Sequence, residues 1–204
     1  MNPIVEEKLP LLKTRSQKGG IEEMRKVMTT LIAVAAVLLL ANGCSNVGKT
    51  TYEGFNSVKA FKIADVPTVK GSLHFEKTLT PDEGGVVSGS FDVGDVHVTY
   101  TVNVPAGALN ETEAVTIDIP DETEAKADLG PSPYTFNKPV TVTMSFENLP
   151  NVPDPDDIEV AWYDVNAGEW IVVPSTVTVD GNNMTVTYNT SHFTVWIIID
   201  PDEP

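Results

Sequence analysis

Val96-His97-Val98-Thr99-Tyr100-Thr101-Val102-Asn103-Val104 alternates without a break between apolar and polar side chains. Successive side chains on a β-strand point to opposite faces, so this spacing gathers the valines and Tyr100 on one side and the polar groups on the other. On a helix the same residues would be scattered around the whole circumference. The stretch therefore predicts a strand with one buried and one solvated face. The same period recurs in Val115-Ile117-Ile119, Val140-Val142-Met144-Phe146, Ile158-Val160-Trp162, Val177-Val179 and Met184-Val186-Tyr188, and it closes in Phe193-Val195-Ile197-Ile199. From residue 57 onward no stretch has a helical period.

Turn chemistry separates these runs. Asn166-Ala167-Gly168 joins the Trp162 run to the Trp170 run, and Asp180-Gly181-Asn182 joins Val179 to Met184 as a tight hairpin. The prolines at 105, 120, 131, 133, 139, 150, 153, 155 and 174 are expected at strand ends or in loops, where a missing N–H does no harm. Many short strands at near-regular spacing predict an all-β, antiparallel β-sandwich of a single domain over residues 57–200, followed by an acidic tail, 201–204.

The segment before the domain is read differently. Met24-Arg25-Lys26 is basic, Thr29 to Ala41 is uncharged and apolar, and Gly43-Cys44 follows, with Cys44 the only cysteine. A basic start, an apolar stretch and a small residue before the cut are the parts of a secretory signal. The apolar run is shorter than the roughly 20 residues of a spanning helix. Leu38-Leu39-Leu40-Ala41-Asn42-Gly43-Cys44-Ser45 resembles the lipobox of bacterial lipoproteins. That resemblance implies a diacylglycerol on the Cys44 thiol, cleavage before it, and a cell-envelope location held by lipid. Ser45, a non-Asp residue after the cysteine, points by the same resemblance to the outer rather than the inner membrane. Residues 1–43 thus read as an N-terminal extension plus signal peptide, with Met24 the expected true start. Residues 44–56 read as the lipidated cysteine and a polar tether.

Composition narrows the partners. The net charge is −16, and six of the 13 basic residues but only four of the 29 acidic ones precede Cys44. No arginine follows Arg25. Phosphate recognition leans on arginine's planar fork, so nucleic-acid binding is not expected. An acidic surface repels anionic lipid, so the acyl group would hold the membrane. With a single cysteine, no disulfide can form within the chain, and the core alone must stabilise the fold.

Four segments in order carry a second resemblance: Gly84-Gly85-Val86-Val87, then Val102-Asn103-Val104-Pro105-Ala106-Gly107-Ala108-Leu109, then Phe136-Asn137-Lys138-Pro139-Val140-Thr141-Val142, then Thr190-Ser191-His192-Phe193-Thr194-Val195. Over residues 82–199 the chain resembles the ZU5 domain and its bacterial ZU5-like relatives. It departs from that pattern at Ala106, usually a second proline, and at Thr194, usually serine. The resemblance implies a β-sandwich of surface, adhesion or scaffold proteins, usually without enzymatic activity. Physically, Pro105 ends a strand, Gly107 turns the backbone, and Ala108 and Leu109 can tuck under the sheet.

The candidate chemistry is sparse. In some ZU5-containing proteins an HF-Ser sequence cleaves itself, which the resemblance transfers to Phe193-Thr194, with Thr194 as nucleophile and His192 as its base. The bland alternative is that Phe193 fills the core and its neighbours pair across the sheet. Asp154, Asp156 and Asp157 could hold calcium, though not at EF-hand spacing. His74, His97 and His192 are too scattered for a metal site. Trp162 shares parity with Ile158 and Val160 and is expected in the core. Trp196 alternates against Phe193, Val195 and Ile197, making it the candidate exposed aromatic for a sugar site, or else part of a second buried face or a subunit contact. The expected function is a lipid-anchored, non-enzymatic surface interaction or structural module with no cofactor, whose partner is an envelope protein or a glycan. The alternatives are a self-cleaving module and a calcium-dependent glycan binder. Replacing the acyl acceptor by Cys44→Ala is expected to abolish incorporation of labelled palmitate; unchanged labelling would refute lipidation at Cys44.

Overall fold

Every alternating run but the last becomes a single strand, and the last is divided between two. The structure is a computed structural model that describes residues 50–54, 56–64 and 72–200. Cys44, the run read above as a signal segment, and residues 201–204 lie outside these residues. The strands are β1 (Thr51–Glu53), β2 (Leu73–Leu79), β3 (Gly85–Val93), β4 (Val96–Val104), β5 (Glu113–Ile119), β6 (Lys126–Gly130), β7 (Tyr134–Glu147), β8 (Glu159–Asp164), β9 (Glu169–Val173), β10 (Ser175–Asp180), β11 (Asn183–Phe193) and β12 (Val195–Ile199). They form a seven-stranded sheet, β1-β9-β8-β12-β6-β5-β2, and a five-stranded sheet, β10-β11-β7-β4-β3. All strand pairs are antiparallel. The protein is an all-β sandwich.

The apolar half of each alternation meets its counterpart between the sheets. Val98, Val102, Val142, Met144 and Val186 from one sheet and Ile117, Leu129, Val160 and Ile198 from the other are wholly buried in one cluster. A second, smaller cluster holds Ala60, Ala161, Trp170, Ile197 and Ile199, with Tyr52, Val58, Tyr163, Val172 and Val195 against it. Its strand residues take the parity opposite to Val160, Trp196 and Ile198, so it lies on the other face of the seven-stranded sheet. Residues 58–60 cover it, and the chain then enters the sheet, where Phe61 N–H donates to Ile198 O at 2.8 Å and Ala125 N–H donates to Phe61 O at 2.9 Å. Thr51–Glu53, read from sequence as the end of a tether, pairs with Glu169–Ile171 as β1.

Two expectations need correction. Pro139 lies inside β7, not at a strand end. It is tolerated because β4 pairs β7 only from Thr141 onward, while the β11 ladder breaks in a bulge between Thr190 and His192. No partner strand needs the missing N–H. The run Phe193-Val195-Ile197-Ile199 is not one strand. β11 belongs to the five-stranded sheet and β12 to the seven-stranded one, so the chain changes sheets at Thr194. That crossing inverts the parity: Trp196 and Ile198 join the inter-sheet core and Ile197 and Ile199 the outer cluster.

The four segments that carry the ZU5-like resemblance converge on one another. Gly84, at φ 63°, lies so close to Val104 that a Cβ there would meet its carbonyl oxygen at 2.2 Å. Gly107, at φ 79°, donates its N–H to Pro81 O at 2.7 Å. Asn137 N–H donates to Ala108 O at 2.9 Å, and Lys138 Nζ donates to Ala106 O. Phe136 meets Phe193 edge-on at 4.6 Å. Ala108 and Leu109 are buried, as the plug reading expects.

Val98→Asp or Val142→Asp puts a carboxylate with no partner into the inter-sheet core. The cost is several kcal/mol against a total of about 5–15 kcal/mol. Thermal melts followed by circular dichroism should lose the cooperative transition in either variant. Asn103→Asp, on the exposed face of β4, should melt like the parent; a parent-like melt for Val98→Asp would refute the packing.

Candidate functional site

The self-cleavage pair sits where the chain crosses between sheets. Thr194 Oγ1 donates to Tyr163 O at 3.2 Å, not to His192. The His192 ring stands edge-on to Trp162 at 4.3 Å, and its Nε2 is buried without a hydrogen-bond partner. Ser132 Oγ donates to Phe193 O at 3.2 Å, the carbonyl that a Thr194 attack would have to reach. The fold thus brings a donor to the carbonyl but leaves nucleophile and base unconnected, and a base must lie within hydrogen-bond reach of the proton it takes. The local turn is held instead by Thr190, whose Oγ1 donates to His192 O at 2.7 Å and accepts from His192 N–H at 3.1 Å.

Around His192 lies an aromatic cluster. Trp196 stacks on Tyr188 at 4.5 Å and lies 5.8 Å from His192. Trp196 is 1% exposed and lies in the inter-sheet core, so it is neither an exposed sugar platform nor part of a second buried face. Trp162 is half-buried and packs on the inter-sheet core, and Trp170 is buried in the outer cluster. Tyr100 and Tyr188 also place their hydroxyls in the interior, and burial raises both phenols far above their ordinary value.

The acidic loop folds on itself. Asp154 Oδ1 accepts from Asp156 N–H at 3.0 Å, and Asp157 N–H donates to Asp154 O at 3.0 Å. Among the described residues no group of three or more His, Cys, Asp or Glu is placed to hold a metal ion. The other histidines pair locally, His74 with Asp118 and His97 with Asp92, each at 2.6 Å. The Asp118 hydrogen bond raises the exposed His74 imidazole above its ordinary value.

Sequence reasoning attended to the apolar half of each alternation and missed the polar half. Register puts the outward residues of the five-stranded sheet in rows across the strands. Thr178, Thr185, Ser145, Thr99 and Ser90 make one row; Thr176, Thr187, Thr143, Thr101 and Ser88 make the next. All are exposed or half-buried. Neighbouring hydroxyls meet laterally, Ser88 with Thr101 at 3.0 Å, Thr143 with Thr187 at 3.3 Å, and Ser145 with Thr185 at 3.4 Å. Neither row contains an ionisable side chain, although the chain as a whole is strongly acidic. The signal was present as hydroxyl-x-hydroxyl repeats at 88/90, 99/101, 143/145, 176/178 and 185/187. Such a face can donate and accept many weak hydrogen bonds without desolvating a charge.

No protein-family model matches the chain, and no curated protein matches it significantly.

His192 supplies a pH test of its environment. Burial pushes its imidazole below the ordinary value, and the charge of Asp164 opposes that only in part. Below about pH 6.5 the unfolded chain takes up a proton that the folded chain resists. This contribution is therefore fully present above that pH and is lost as pH falls through it toward the lowered folded value. His192→Phe keeps an aromatic ring against Trp162 but cannot titrate. The melting temperature of the parent should fall further than that of His192→Phe between pH 7.5 and 5.5. His74 shifts in the opposite sense in both proteins and cancels in the comparison. Parallel pH profiles would refute the buried, neutral imidazole.

Proposed function

We propose that this chain is a lipid-anchored cell-envelope protein whose β-sandwich is a non-enzymatic surface interaction or structural module. The observation that carries the interaction reading is the pair of uncharged Ser/Thr rows on the outer face of the five-stranded sheet. In so acidic a chain most exposed area repels anionic partners, whereas this face suits a neutral, hydroxyl- or amide-rich partner such as an envelope glycan or protein. The anchoring rests on the apolar run ending at Gly43-Cys44, and the outer-membrane placement on Ser45. The ZU5-like reading fits an all-β sandwich whose four signature segments pack together at one end. The unconnected His192 and Thr194 favour a static domain over a self-cleaving one. The self-folded Asp154 turn lends calcium no support.

Two measurements test the module reading. Denaturing mass spectrometry should find one chain intact at Phe193-Thr194; a free Thr194–Pro204 peptide would establish self-cleavage instead. Thr143→Lys sets a charge in the middle of the hydroxyl face. It should keep the parent melting behaviour yet lower retention on isolated cell envelopes severalfold once membrane lipid has been extracted with detergent. Retention equal to the parent would exclude this face as the contact.

A further inference from the structure

The sheets end in four edge strands, β1 and β2 in one and β10 and β3 in the other. An open edge presents unpaired N–H and C=O groups, and proteins guard such edges by shortness, charge or cover. β1 spans only Thr51–Glu53. β2 carries His74, Glu76 and Lys77. Lys77 Nζ reaches across to donate to Val86 O of β3 at 3.1 Å, and the Phe75 ring lies over Gly89 of β3, where a Cβ would come within 2.2 Å of it. Among the described residues β10 has no such guard. From Ser175 to Val179 it reads Ser-Thr-Val-Thr-Val, without charge or proline, and Val179 is 38% exposed.

The hairpin register shows which backbone groups are open. Asp180 pairs with Asn183 around the two-residue turn Gly181-Asn182. The pair flanking such a turn exchanges both hydrogen bonds, and bonded and non-bonded pairs then alternate. Thr178 and Thr176 therefore bond to β11, while the N–H and C=O of Val179, Val177 and Ser175 point away from the sheet.

We infer that β10 is a docking edge for a second copy of this chain, paired antiparallel about Val177. Only a register centred there matches all five uncharged residues with one another: Val177 with Val177, Thr176 with Thr178, and Ser175 with Val179. Thr faces Thr on the hydroxyl side, and Val faces Val on the core side. Pro174 and Asp180 fall outside the ladder, so neither the missing N–H nor the acidic charge obstructs it. The hydroxyl rows of the two copies become continuous across ten strands, five from each. A five-residue ladder buries far less than the roughly 1,200–2,000 Å² of a stable interface, so the dimer is weak in dilute solution. Crowding on a membrane raises its population, and to that extent the inference rests on the anchoring proposed above.

The test uses the full chain in its membrane. In the proposed register the Cα atoms of Thr176 and Thr178 of opposite copies form a close non-hydrogen-bonded pair, within disulfide reach, whereas two copies of Thr176, or two of Thr178, do not face one another. Under mild oxidation, co-expressed Thr176→Cys and Thr178→Cys chains should give a disulfide dimer on non-reducing denaturing gels, and each alone should give none. Adding Val179→Pro to both chains removes an outward N–H but no bond to β11, and should reduce the dimer at least tenfold. A mixed pair that yields no dimer beyond that of either single variant overturns the inference, as does a dimer indifferent to Val179→Pro. A disulfide dimer of the parent chain would report a free Cys44 thiol, a failure of the lipid anchor alone; the edge pairing would still be read from the additional dimer of the mixed pair.

Discussion

Two sheets must bury their apolar inner faces against each other, and the rest of this domain follows from that packing. Val98 and Val142 share one buried cluster with Ile117 and Val160, all with no exposure, so the opposite sides of the same strands are forced outward. Alternation leaves no freedom: a one-residue slip of β4 or β7 would drive threonines into the core and valines into water. The hydroxyl rows on the five-stranded sheet are thus the obligatory counterpart of the inter-sheet core.

The seven-stranded sheet solves its outer face differently. Instead of a polar array, β8, β9 and β12 carry Ala161, Trp170, Ile197 and Ile199 there, and residues 58–60 lie over them. Tyr52 of β1 extends the cover, and its hydroxyl donates to Glu159 Oε2 at 2.7 Å. The N-terminal part of the domain is therefore structural rather than linking. One outer face is closed by the chain itself and the other is left open, which is why the candidate contact surface lies on the five-stranded sheet.

The sheet crossing at Thr194 links this architecture to the candidate chemistry. Changing sheets between Phe193 and Val195 turns Phe193 toward Phe136 and Trp196 toward Tyr188, so both rings fill the same core from different sheets. His192 is drawn against Trp162, and Thr194 is satisfied by the Tyr163 carbonyl. The residues that looked like a nucleophile and its base stand at this corner with no hydrogen bond between them.

The sequence by itself determined the fold class, because side-chain direction on a strand has a strict period of two and β-branched residues mark the faces. It determined the hairpins at Gly168 and Gly181, both of which adopt positive φ. It also contained the hydroxyl face, as Thr-x-Thr repeats whose meaning depends on which strands are neighbours. Only the tertiary structure decided that neighbourhood, since pairing β11 with β7 and β7 with β4 joins segments distant in the chain. It alone decided the fate of Trp196, because a strand that leaves one sheet for the other reverses the parity on which a periodic reading relies. It alone placed Pro139 inside β7, because whether a missing N–H matters depends on where the ladder to the partner strand is interrupted. Local periodicity states which way a side chain points; only packing states what it meets.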